Sequence, residues 1–138
     1  DLVEILRDSD LDSDVLEGAI GNAGDITIKT GRLIVRDSQI GPSTFGEGNA
    51  GNFKIIATDS VELSGQISKR EDDTSNAGSV GFPGGLFAQI DILGKGRGGN
   101  LTIETRRLSV SDGSKIQAAT FGDGDAGNVF IRAEEIDL

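Results

Sequence analysis

The sequence predicts an all-β fold, a right-handed single-stranded parallel β-helix (solenoid) of about five coils with three short strands in each coil. Two observations predict it. A tetrapeptide of the form Asn-Ala-Gly-(Asn/Asp), or a close variant of it, recurs along the chain, and an alternating apolar segment follows each copy. The composition agrees, because 21 glycines with only 4% aromatic residues suit many short strands joined by tight turns. The copies end at Asp25, Asn52, Asn100 and Asn128.

The spacing of these four residues defines the repeating unit. The intervals are 52 − 25 = 27, 100 − 52 = 48 and 128 − 100 = 28 residues. A recurring period of this size indicates that one supersecondary unit is stacked. The long interval is one ordinary unit with 48 − 28 = 20 additional residues, because its closing segment 85–94 aligns without a gap with 113–122. We therefore place an inserted loop at 66–84.

Each unit contains three extended segments with period-two alternation, taken here in order from Asp25. The first points Ile26 and Ile28 to one face, the second points Leu33 and Val35, and the third, 38–45, points Ile40. Glycine and asparagine corners close the three segments into one coil, whose strands pair with the next coil about 4.8 Å away. An antiparallel meander would instead need two-residue hairpin turns, which these corners do not supply.

The whole chain, 1–138, is predicted to be one β-helical repeat domain. Residues 1–19 form a partial or frayed first coil, and the last segment stops in mid-coil at Leu138, so we expect the chain to be part of a longer array.

The corners predict a structural ladder of Asp25, Asn52, Asn100 and Asn128. Glycine before each of them fits a positive φ or a close approach of neighbouring coils. Stacked asparagines bond one side-chain amide to the next in such arrays. Because a carboxylate cannot donate, the ladder is predicted to be weakest between the first two coils.

Composition excludes several classes of function. The net charge is 13 − 23 = −10, which argues against nucleic acid and against anionic membranes as partners. No apolar run approaches the roughly 20 residues of a membrane-spanning helix, so no membrane insertion is expected. The absence of His and Cys removes the Ser-His-Asp, Cys-His and thiolate or two-His metal sites. We expect no cofactor, no metal and no enzyme activity.

Three candidate sites remain. The inserted loop offers a mixed-charge binding run of Lys69, Arg70, Glu71, Asp72 and Asp73, since loops on a rigid scaffold often carry recognition, although a plain excursion fits as well.

The acidic stretch 8–14 resembles the start of a calcium loop but has Ser13 where glycine is needed and Ala19 where the bidentate glutamate belongs. Whether it binds calcium stays open. Carboxylates are the only realistic catalysts, and pairs such as 72/73 and 134/135 are candidates for acid–base catalysis. Because adjacent residues of a strand point to opposite faces, solvated loops or corners explain these pairs better.

The repeats resemble those of large secreted haemagglutinin-like exoproteins of the two-partner secretion type, especially cyanobacterial ones. The resemblance covers 21–46, 48–64 and 98–133, and the segment 84–89 is similar as well. It implies a secreted, extracellular or cell-surface protein that acts in adhesion, aggregation or surface display and is exported by an outer-membrane transporter. The Asn-Pro-Asn element of the secretion domain is absent, so this chain is expected to be a distal stalk or passenger segment that does not itself engage the transporter.

We therefore expect a structural and adhesive segment whose partners are other copies or segments of the same exoprotein, or cell-surface glycans or proteins. Two alternatives remain. One is a carbohydrate-active β-helix enzyme that uses Asp or Glu, and the other is a unit that polymerises end to end into an extracellular fibre.

Overall fold

The chain folds as a parallel β-solenoid of about four turns, which confirms the predicted fold class. A computed structural model describes residues 1–7, 9–67 and 82–138, with Phe82 described by its backbone. The part of the chain that it describes contains strands and turns and no helix, and so holds no helix that could cross a membrane.

The strands are, in chain order, β1 (Leu2–Leu6), β2 (Asp10–Asp12), β3 (Ile26–Arg36), β4 (Gln39–Gly41), β5 (Ser43–Thr44), β6 (Phe53–Ser64), β7 (Gln66–Ile67), β8 (Phe82–Pro83), β9 (Gly85–Ile90), β10 (Leu101–Val110), β11 (Lys115–Thr120), β12 (Val129–Arg132) and β13 (Glu135–Asp137). One sheet has the order β1-β3-β6-β10-β12, and β13 also pairs with β10. The second has the order β11-β9-β4-β2, with β5 beside β9. Both sheets are parallel, and β7 pairs with β8 antiparallel.

The prediction of three short strands per coil is wrong in one respect, because the first two segments form one long strand. In β3 this strand passes through an irregularity at Thr30–Arg32, where β6 has one extra residue. The hydroxyl of Thr30 donates to the carbonyl of Arg32 at 3.1 Å and so supports the bend locally. Such a bulge lets a strand turn without breaking its ladder, which period-two alternation alone does not reveal.

The count of about five coils is also too high, because the two partial coils at the ends together make one turn. Leu2 pairs with Arg32, and Glu135 pairs with Arg107. Arg32 and Arg107 both pair with Ser60, so Leu2 and Glu135 hold the same position in the coil. The chain returns to its starting position after 135 − 2 = 133 residues.

The ungapped alignment of 85–94 with 113–122 is wrong by two residues at its start. Gly85 pairs with Lys115, which stacks Leu86 on Ile116. The difference is absorbed in the corner after Ile90. The coil that carries the inserted loop has two more residues between Ile90 and the bridge at Lys95 than the next coil has between Thr120 and the bridge at Asp123. A corner thus changes length while the strands on both sides keep their register.

The core is a file of inward side chains along the axis. Its largest fully buried members are Phe53, Leu33, Ile40, Ile55, Leu63, Leu86, Ile90, Leu101, Ile103, Leu108, Val35 and Val61. They come from both sheets. Along β3 and β6 they alternate with exposed or half-buried residues, whereas nearly every residue of β9 is buried. Burial of apolar area therefore holds the two sheets together.

We expect Ile55→Ala to lower the free energy of unfolding by about 2–5 kcal/mol, because Ile55 is fully buried between coils and alanine leaves a cavity. Urea unfolding followed by circular dichroism measures the change. Lys29→Ala, at an exposed position of β3, is the control and should stay near the parent. Equal losses for both variants would contradict this account of the core.

Candidate functional site

The four predicted ladder residues lie together at one corner of the rod. The backbone N–H of each of the three asparagines donates to the side-chain oxygen of the ladder residue one coil earlier. These bonds run from Asn52 to Asp25 at 2.7 Å, from Asn100 to Asn52 at 3.1 Å and from Asn128 to Asn100 at 3.0 Å. The side chains therefore satisfy backbone donors that the turn would otherwise leave without a partner.

This geometry differs from the predicted stack of amide-to-amide bonds. The side-chain amides of Asn52 and Asn128 reach the same oxygens at 3.2 Å, as secondary contacts. The predicted weakness at Asp25 rested on a carboxylate being unable to donate, but here the Asp25 side chain accepts from Asn52, at the shortest distance of the three. The strength of that contact stays a prediction. Oδ1 of Asp25 accepts from both the backbone N–H and the side-chain amide of Asn52, and a carboxylate is a strong acceptor.

A second ladder runs beside the first and was missed from the sequence. The backbone N–H of Asn49 donates to Oδ1 of Asn22, and that of Arg97 donates to Oδ1 of Asn49, both at 2.9 Å. The signal was the first Asn of the tetrapeptide, which stands three residues before Asp25 and three residues before Asn52. Arg97 has no side-chain acceptor, so this ladder stops there.

Glycine is required at this corner because the coils approach closely. A Cβ at Gly51 would strike the carbonyl oxygen of Gly24, and one at Gly99 or Gly127 would strike the glycine oxygen of the preceding coil. Close backbone approach, the second of the two predicted reasons, is therefore what fixes these glycines.

The inserted loop leaves the rod from a paired base. β7 and β8 form a short antiparallel ladder there, and the side-chain amide of Gln39 donates to the carbonyl of Pro83 at 3.1 Å. The binding candidates Lys69, Arg70, Glu71, Asp72 and Asp73 lie outside the described residues, as does the carboxylate pair 72/73.

The other carboxylate pair belongs to a charged edge beside the bend of the long strands. Glu134 pairs with Arg106 at 3.6 Å and Glu135 with Arg107 at 2.9 Å. They line a shallow groove of about 280 Å³ with other charged residues of the bend. The hydrogen bond with Glu135 raises the pKa of Arg107.

These pairs are well exposed to solvent. A general acid in glycoside cleavage needs a desolvated carboxyl group. The groove therefore does not supply the desolvated environment in which one of the two carboxyl groups could act as the general acid.

Residue 8 of the acidic stretch lies outside the described residues, and the rest of the stretch, 9–14, runs along β2 and into the next corner. Oδ1 of Asp14 accepts from the backbone N–H of Ser43 at 2.9 Å, so it acts between coils as the asparagines do. Burial raises the pKa of Asp14 above its ordinary value of 3.8, Asp12 and Asp10 add to the rise, and the bond from Ser43 opposes it. Among the described residues, no three His, Cys, Asp or Glu side chains lie together so that they could hold a metal ion.

Comparison of the chain with protein-family models, with curated proteins and with solved structures finds no match to any of them.

We expect Asn100→Ala to lower the free energy of unfolding by about 1 kcal/mol, because it removes the acceptor of the Asn128 N–H. The exchange rate of the Asn128 amide hydrogen should rise at the same time. Asn100→Asp keeps an oxygen at this position and is expected to fall between the parent and the alanine variant. An alanine variant with parental stability and amide exchange would show that the ladder contributes nothing.

Asp14→Asn is expected to stabilise the chain at neutral pH, because asparagine keeps an oxygen for the Ser43 N–H and removes a charge that burial disfavours. The folded pKa lies above the unfolded one, so the penalty is full above the folded pKa and disappears below 3.8.

Urea midpoints of the variant and the parent should therefore differ most at neutral pH and converge as the pH falls. Asp137→Asn, at an exposed position of β13, is the control. A gain that does not change with pH would refute the assignment to Asp14.

Proposed function

We propose that this chain is a structural and adhesive segment of a secreted, haemagglutinin-like cell-surface exoprotein, and that it acts without catalysis. Its role is mechanical. The stacked coils hold binding elements at a distance from the cell, and the parent protein reaches the surface through an outer-membrane transporter.

The observation that carries this proposal is where the structure uses its polar side chains. The asparagines of the corner bond the next coil. Charged residues of the strands pair across coils, as Arg32 does with Glu62 at 3.1 Å and Lys54 with Glu104 at 3.2 Å. Polar groups that serve the stack in this way suit a rod better than an active site.

The resemblance of the repeats to those of two-partner secretion exoproteins supports the extracellular location. The inserted loop is the element that we assign to binding, with cell-surface glycans or proteins as its ligands. Its base is held by the rod at Gln39 and by the β7–β8 pair, which supports presentation of the loop from a fixed point.

The test is adhesion by the whole chain. Fluorescent beads coated with the protein are allowed to settle on cultured cells and on a glycan array, and the retained beads are counted after washing. Replacing Lys69–Asp73 by a Gly/Ser segment of equal length should reduce retention several-fold. Lys54→Ser with Glu104→Ser, on the strand surface, is the matched control and should leave retention unchanged.

Parental retention after loop replacement, or no retention by the parent on any surface, would overturn the adhesive assignment. A carbohydrate-active enzyme is checked with the same protein by measuring the release of reducing ends from acidic polysaccharides. Release by the parent that is lost in Glu134→Gln or Glu135→Gln would favour that alternative.

A further inference from the structure

The wall of the rod carries a groove on the outer face of the second sheet, called the outer groove below. Along β4 and β9 the side chains of Ile40, Leu86 and Ala88 belong to the core, so the residues between them face outward. The register places Asp12 beside Gly41, which has no side chain, so that backbone forms the floor there. The outer groove has a volume of about 230 Å³.

The floor of the outer groove stays open because Gly41 cannot be replaced. Its φ is 150°, and an added Cβ would strike the carbonyl oxygen of Phe87 in the next coil. A coil added before β2 would pair with the edge of β2, along the axis of the rod, and would leave the outer face of the sheet uncovered. The outer groove is therefore a feature of the wall and does not depend on where the sequence begins.

The outer groove is acidic. Asp10, Asp12 and Asp14 stand at every second position of an extended segment, so they share one face at steps of about 7 Å. The charges of Asp12 and Asp10 add to the rise in the pKa of Asp14 that burial causes, which means that the carboxylates repel one another. The net charge of −10 acts in the same direction, so the outer groove favours a cationic ligand.

The spacing of the carboxylates argues against a metal ion as that ligand. In the part of the chain that the structure describes, no three His, Cys, Asp or Glu side chains come close enough together to hold one. A ligand that carries its positive charge on a larger organic frame fits the spacing better.

A buried hydroxyl indicates that this ligand also carries polar groups. Ser43 is 8% exposed, lines the outer groove and pairs with Gln89. Its backbone N–H donates to Asp14, but its hydroxyl has no hydrogen-bond partner within residues 1–7, 9–67 and 82–138. Buried polar groups are normally hydrogen-bonded in native proteins, so the hydroxyl is placed to bond a group in the outer groove.

An aromatic ring and two amides complete the lining. Phe45 is half-buried there, as are the side chains of Gln39 and Gln89. An aromatic ring packs against the apolar face of a sugar and attracts an ammonium group, and amides bond hydroxyl groups. A lysine side chain has no use for the serine and the amides, whereas an amino sugar uses every group. The volume lies below the roughly 300–1,000 Å³ of sites for drug-sized ligands, which suits one sugar ring.

We propose that the outer groove binds an amino-sugar glycan, whose rings carry free ammonium groups. The carboxylates of Asp10 and Asp12 hold an ammonium group, the ring packs on Phe45, and a ring hydroxyl bonds the hydroxyl of Ser43. This site lies on the wall of the rod and is separate from the inserted loop. It shares only the class of ligand with the proposed function, and variants of the loop and of the outer groove test the two separately.

Isothermal titration calorimetry of the full chain with a glucosamine hexamer tests the proposal. We expect Asp10→Asn with Asp12→Asn to weaken the affinity about tenfold or more, because charged hydrogen bonds are lost. Asp123→Asn with Asp125→Asn makes the same change of charge at exposed positions outside the outer groove and should bind like the parent. The Gly/Ser replacement of Lys69–Asp73 should also keep the parental affinity.

Two further ligands separate the contribution of charge from that of the sugar ring. The N-acetylglucosamine hexamer has no ammonium groups, and hexalysine has ammonium groups without rings. Both should bind more weakly than the glucosamine hexamer, by about tenfold or more. Equal affinity for either of them would overturn the proposal.

Ser43→Ala separates binding from folding. The change keeps the N–H that bonds Asp14, so the thermal midpoint should not fall. The affinity for the glucosamine hexamer should fall several-fold, because the ring hydroxyl loses its partner. A lower thermal midpoint with parental affinity would contradict the role of this hydroxyl in binding.

Three other results would overturn the proposal. They are no binding of the glucosamine hexamer by the parent, equal loss in the two double variants, and loss of binding on loop replacement alone, which would place the site on the loop. Circular dichroism shows that each variant is folded.

Discussion

Parallel hydrogen bonding between strands one coil apart is the constraint on which the rest of this structure depends. It requires every coil to turn at the same place, because a turn that moves along the chain would shift all later pairs. The stacked glycines of the corner, the two asparagine ladders and the stacked apolar side chains of the core all follow from that requirement. Gly51 lies against Gly24, and Asn52 bonds Asp25, since the coils must meet there at strand distance.

Sequence reasoning predicted the stacked coils, the corner and the inward residues, because each has a local period that strand geometry makes readable. It failed at two places where the chain departs from its regular spacing, the bend of the long strand and the corner after Ile90. The bend at Thr30–Arg32 looked like a gap between strands, since a bulge shifts the alternation by one residue. The two residues added after Ile90 were hidden inside an alignment that had glycine at both ends.

The corner shows what residue type alone could not decide. Asparagine was expected to bond asparagine, but the main donor is the backbone N–H, which every sequence carries. Asp25 can therefore take the first position, because a carboxylate oxygen also accepts from the backbone N–H. The first Asn of the tetrapeptide was missed because the second ladder, which it forms, ends at Arg97 after two bonds.

The inserted loop carries a further consequence for how such a rod changes over evolutionary time. The bond between Asn100 and Asn52 spans 48 residues and measures 3.1 Å, and the bond between Asn128 and Asn100 spans 28 residues and measures 3.0 Å. Lengthening a surface excursion costs little chain entropy. The position between Gly65 and Gly84 is thus one where inserted sequence can change in length and composition while the coils on either side keep their register.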